Sequence, residues 1–119
     1  ETTLAYPIST NDLTRFFAMK SKRADFFRRI SQVTLDRIES IVGDRIFLAA
    51  DPIAMATVLD PDVASTIEQR YLAVENTGGF SRGQSMVDWM GLSGNPPNAS
   101  LVTEISTERF LELIEAALT

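Results

Sequence analysis

At 119 residues, with 45% apolar and 23% charged side chains, the chain has the make-up of one folded domain, 1–119, which excludes a disordered tail, a fibrous repeat and two independent cores. Cysteine and histidine are both absent, so disulfides, thiolate catalysis and the commonest general base are excluded, and any metal must be held by oxygen, as calcium and magnesium are. The net charge of −5 is uneven, with the basic cluster Lys20, Lys22, Arg23, Arg28 and Arg29 near the start and a strongly acidic remainder that would repel phosphates, so no nucleic-acid partner is expected.

Taken in chain order, "ISTNDLTRFF" opens a helix: Ser9, Thr10 and Asn11 are good caps, and Leu13, Phe16 and Phe17 recur at helical spacing up to an end near Lys20 or Ser21. From Arg23 to Val42 the apolar positions Phe26, Phe27, Ile30, Val33, Ile38, Ile41 and Val42 predict a second helix packed through one stripe. Gly43 follows where a left-handed cap would close it. "DRIFLAA" is too short for a helix and reads as a buried strand or a loop entering the core. Asp51 then interrupts an apolar run, and with Pro52 it matches a helix N-cap followed by proline at the first helical position. The helix it opens is apolar all round from Ile53 to Leu59, a composition that predicts burial.

The last third predicts sheet. "RYLAVEN" and "SMVDWM" read as strands joined through Gly78, Gly79 and a turn over residues 81–83, "GLSGNPPN" as a loop, and "ASLVTEIS" as a third strand. Ser106 caps a final helix whose Phe110, Leu111, Leu113, Ile114, Ala117 and Leu118 form one apolar face. No run approaches the roughly 20 apolar residues of a membrane span, so no membrane partner is expected and the chain reads as cytoplasmic. Its start at Glu1 rather than methionine leaves a removed leader, and with it secretion, open.

Little in the sequence carries chemistry by itself. No Gly-rich phosphate loop and no Ser/His/Asp set is present. Asp60 and Asp62 flank Pro61 as an acidic helix end rather than a catalytic pair, and Glu75, Arg82 and Asp88 read as residues that organise the hairpin. Asn98-Ala99-Ser100 matches a glycosylation acceptor, which matters only in a secreted chain. Asp51 is the one strong candidate. Its position is explained by capping alone, and a role as a ligand is the alternative.

Three ordered blocks, "ADPIAMATVLDPDV", "YLAVENTGGFSRGQSMVDW" and "NPPNASLVTEISTERFLELI", resemble the C-terminal part of the inosine-uridine-preferring nucleoside hydrolase family over roughly residues 50–115. The resemblance implies an α/β fold, the C-terminal portion of an open, mostly parallel sheet with packed helices and a terminal β-excursion. It implies an enzyme that cleaves the N-glycosidic bond of purine or pyrimidine ribonucleosides with a calcium ion held by aspartates. Asp51 maps onto one of those metal ligands; no catalytic or substrate-binding residue maps here. Most of the cluster belongs to an N-terminal Asp-x-Asp-x-x-x-Asp-Asp motif that this sequence does not contain, so the chain alone is expected to be inactive. Ala50 stands where branches of the family carry a larger side chain, histidine in the best known, that helps the base depart. The expected partners are a nucleoside where the site is complete, and either further copies of the chain or the missing N-terminal part. A catalytically dead interaction domain derived from the same fold is the competing reading, and it treats Asp51 purely as a cap.

Overall fold

The structure, a computed structural model, describes residues 2–119, and Glu1 lies outside them. After a four-residue helix, α1 (Thr2–Ala5), which the sequence pattern does not announce, Ser9 caps α2 (Thr10–Phe17) by accepting from the Asp12 N–H. Helix α2 stops at Phe17, a turn earlier than expected. Ser21 then caps α3 (Lys22–Val42): its hydroxyl accepts from the Ala24 N–H at 3.0 Å and donates to the Leu118 carbonyl. Gly43, at φ 80°, closes α3 in the left-handed conformation that glycine adopts without a Cβ clash. "DRIFLAA" is a loop entering the core, tied by one antiparallel bridge between Ile8 and Phe47.

Helix α4 (Ala50–Leu59) leads through a single 3-10 turn (Pro61–Val63) into β1 (Ala64–Val74), β2 (Ser85–Asp88), β3 (Ala99–Ile105) and finally α5 (Thr107–Leu118), capped by Ser106. The described residues form two compact units, one from the residues up to Ala64 together with Ile105–Thr119, the other from Ser65–Glu104.

In the helical unit the core is built on Ile8, Phe16, Leu35, Val63 and Phe110, none more than 1% exposed. Helix α3 contributes to it differently from the expected stripe. It buries Ala24, Ser31 and Leu35, whereas Phe26, Ile30, Val33, Ile41 and Val42 stay exposed. The physical reason is that α3 carries two apolar faces, and α2 and α5 pack against the one that holds Ala24, Phe27, Ser31 and Leu35. Phe27 lies on the packed side, 5.6 Å from the rings of both Phe17 and Phe47.

In the second unit the sheet order is β2-β1-β3. Strands β1 and β2 pair antiparallel, Tyr71 opposite Asp88 and Val74 opposite Ser85. Bonds from Gln69 to Ser100 and from Thr66 to Glu104 run in the antiparallel sense between β1 and β3 as well. This corrects the expectation of a mostly parallel sheet. A parallel neighbour needs a crossover, usually a helix of a dozen or more residues, and the connections between these strands contain none. The three strands are the β-excursion itself. No residue of Ser65–Glu104 is fully buried.

Candidate functional site

Helix α4 begins two residues before the position expected from capping. Ala49 occupies the cap, its carbonyl accepting from the Ile53 N–H at 2.9 Å, and Asp51 and Pro52 lie inside the first turn. The proline still costs no hydrogen bond, because the N–H groups of the first turn have no intrahelical partner. Asp51 is therefore not a side-chain cap. Among the described residues its carboxylate has neither a hydrogen bond nor an ion pair, and it faces solvent at the positive end of the helix.

The burial expected for α4 is also one-sided. Ile53 (2%) and Ala56 (4%) face the core, while Met55 (57%), Val58 (76%) and Leu59 (70%) are exposed, because α1, the 3-10 turn and α5 cover one flank of the helix. Beside its first turn lies an apolar cavity of about 170 Å³ lined by Ile8, Phe27, Phe47, Pro52, Ile114 and Leu118. Phe27 is thus committed to packing, and Phe26, on the other flank of α3, is exposed.

The remaining acidic candidates resolve into structural roles. Asp60 accepts two bonds from the Arg109 guanidinium, at 2.8 and 3.1 Å, and caps the 3-10 turn through the Asp62 N–H. That guanidinium, more than any other neighbour, holds the Asp60 carboxyl below the usual carboxylate range. Asp62 lies 3.6 Å from the same arginine, so the pair is an ion-paired helix end rather than an acid-base couple. Glu75 accepts from the Thr77 hydroxyl and from the N–H groups of Thr77 and Gly78, which lowers its pKa and fastens the turn after β1. A Cβ on Gly78 would stand 2.5 Å from the Ser81 hydroxyl, so a larger residue there requires the Ser81 side chain to move. Asp88 fastens the loop after β2 in the same way, through the Leu92 and Ser93 N–H groups. Arg82 lies in the turn before β2, and among the described residues its side chain makes no hydrogen bond or ion pair.

Two features escaped the sequence reading. The Asn98 carboxamide accepts from the Leu72 N–H and donates to the Leu72 carbonyl, at 2.7 and 2.9 Å, so the residue of the glycosylation pattern continues the ladder between β1 and β3 with its side chain. In the second unit, Arg70, Tyr71, Asp88, Trp89 and Met90 line a cavity of about 300 Å³, with the Arg70 guanidinium 6.0 Å from the Trp89 ring centre. Neither has a local sequence signal beyond residue type.

Calcium takes about 6 to 8 oxygens, and among the described residues no group of three or more His, Cys, Asp or Glu side chains could hold a metal ion. Asp51 suits one place in such a shell, being ionisable, unpartnered and accessible. The residues present do not make a complete metal site. Among the described residues, no helix is long and apolar enough to cross a membrane.

A family signature described as inosine-uridine preferring nucleoside hydrolase matches residues 1–112. The pyrimidine-specific ribonucleoside hydrolase RihA of Klebsiella pneumoniae is 37% identical over 68 residues, 57% of this chain and 22% of the relative; its counterpart from Salmonella newport is 35% identical over the same share. The chain thus spans about a fifth of the length of these curated relatives. Among solved structures, an inosine-guanosine nucleoside hydrolase superposes on 98% of the chain with a TM-score of 0.78 at 20% identity, and the match covers 36% of that protein. A purine-preferring ribonucleoside hydrolase from Gardnerella vaginalis gives a TM-score of 0.74 at 18% identity, again over 98% of this chain and 36% of that one.

Proposed function

Because this chain belongs to the inosine-uridine preferring nucleoside hydrolase family, we propose that it supplies the C-terminal part of a calcium-dependent nucleoside hydrolase that cleaves the N-glycosidic bond of ribonucleosides. The observation that carries the reading is Asp51, an accessible carboxylate without a partner in the first turn of α4, within the residues that match the family. Asp51 contributes one oxygen ligand, and the others come from outside the described residues. The rest of the chain has a supporting part: Ala49 and Pro52 fix the start of α4, the Asp60–Arg109 pair fixes its end, and together they hold Asp51 in place. Ala50 has no proton to give, so departure of the base is assisted by another group or needs no acid.

A second reading, a catalytically dead interaction domain, is favoured by the absence of further ligands around Asp51 among the described residues. Two measurements test the proposal, and the second separates the readings. The purified 119-residue chain is expected to release no reducing sugar from inosine or uridine, with calcium or with a chelator; calcium-dependent release would show that a whole site assembles from this chain alone and would overturn the proposal. When the chain is completed by the rest of a family member, Asp51→Asn is expected to abolish calcium binding in a calorimetric titration while changing the unfolding free energy by less than about 0.5 kcal/mol, because the carboxylate holds no other group. Unchanged calcium binding would hand the site to the interaction-domain reading.

A further inference from the structure

The cavity of about 300 Å³ in the second unit is lined from two places, Gln69, Arg70 and Tyr71 of β1, and Asp88 with the loop that follows it as far as Pro97. That loop is fixed at both ends. The Asp88 carboxylate accepts from the Leu92 and Ser93 N–H groups, and Gly91 and Gly94 turn the chain at φ 70° and 68°. Beyond Pro97 the Asn98 carboxamide is clamped to the Leu72 backbone, and the Asn98 N–H donates to the Arg70 carbonyl at 3.1 Å. An exposed loop tied in this way holds its side chains in place before anything binds. The polar groups around the cavity are nevertheless unused. Among the described residues, the Tyr71 hydroxyl, the Trp89 indole N–H and the Asn95 carboxamide make no hydrogen bond. The Arg70 guanidinium commits two nitrogens to Glu68 and to the Gln69 carbonyl, but its Nε–H is buried without a partner. A buried donor left unpaired is rare, and a carbonyl oxygen placed in the cavity gives it the partner it lacks.

We propose that this cavity binds a planar aromatic or heteroaromatic ring bearing a carbonyl oxygen. Trp89, 51% exposed and 6.0 Å from the Arg70 guanidinium, offers a flat face on which such a ring stacks. All four unused groups can donate a hydrogen bond, whereas only those of Tyr71 and Asn95 can also accept one, so the polar atoms of the fitting ligand are acceptors. A neutral carbonyl suits the site better than a carboxylate. The Asp88 carboxylate lines the same cavity, and the Arg70 charge is already balanced by Glu68. The volume stands at the small end of the range for ligand pockets, which limits the occupant to one or two rings. The site is separate from Asp51, and its test involves neither calcium nor catalysis.

The probe is benzamide, titrated into the nitrogen-labelled 119-residue chain and followed by proton–nitrogen correlation NMR. Saturable shifts are expected at the Trp89 indole N–H and at the backbone amides of the residues that line the cavity, with the helical unit unmoved. Two controls separate the contributions. Toluene supplies the ring without the carbonyl, cyclohexanecarboxamide supplies the carbonyl without the flat ring, and each should bind about tenfold more weakly. Tyr71→Phe combined with Asn95→Ala removes two groups that hold nothing in the free chain, so the rest of the spectrum should be unchanged while benzamide affinity falls about tenfold. Asn95→Ala alone, at an exposed loop position, serves if the double variant does not fold, with an expected loss of about threefold. Shifts spread over both units or rising without saturation overturn the proposal. Equal binding of either control, or a benzamide affinity indifferent to the substitutions, overturns it as well.

Discussion

Ser31 is 2% exposed, and its hydroxyl has no hydrogen-bond partner. An unsatisfied buried hydroxyl loses its water and gains nothing in return, and serine is also a poorer helix former than alanine. Ser31→Ala is therefore expected to stabilise the chain by about 1 kcal/mol, read as a higher denaturant midpoint at unchanged slope. Only the fold reveals this, since a serine among charged and apolar neighbours looks like a surface position in the sequence. Asp51 is the opposite case: it is legible as the one charge inside an apolar run. What the sequence leaves ambiguous is its local role. Ala-Ala-Asp-Pro allows a helix start at either Ala49 or Asp51, and the tertiary burial of Ala49 decides between them.

The boundaries at Ser9, Gly43 and Ser106 were legible because caps are local chemistry, whereas α1, the end of α2, the Ser21 cap and the start of α4 were not. Ser9, Ser21 and Ser106 each accept from an N–H three residues on, as short polar side chains at a helix start do. Gly43 is the matching signal at the other end of α3. Gly43→Ala forces a Cβ into the left-handed region and is expected to cost about 1 kcal/mol, measurable by thermal or denaturant unfolding. The facing of α3 was not legible. Phe26, Ile30 and Val33 define as regular a stripe as Ala24, Ser31 and Leu35, and periodicity alone favours the bulkier set. Packing against α2 and α5 buries the other one. Strand pairing was open for a related reason: alternation marks a strand, whereas direction depends on the connections, and those between β1, β2 and β3 contain no helix.

At the scale of the whole molecule, burial is divided unequally. Every fully buried side chain among the described residues belongs to the helical unit, and Ser65–Glu104 relies on ladder bonds, the turns held by Glu75 and Asp88, and partial shielding. A three-stranded sheet without a covered hydrophobic face is marginal by itself. That asymmetry has an optical counterpart. The chain's single tryptophan, Trp89, lies in the second unit, while α3 and α5 in the first dominate the far-ultraviolet dichroism. Emission from Trp89 and ellipticity at the helical band therefore watch different parts of one polypeptide. On heating, the fluorescence change is expected to precede the loss of ellipticity, and coincident curves would mean that the two parts melt as one. The same separation makes Trp89 a native reporter of the excursion, with no added label.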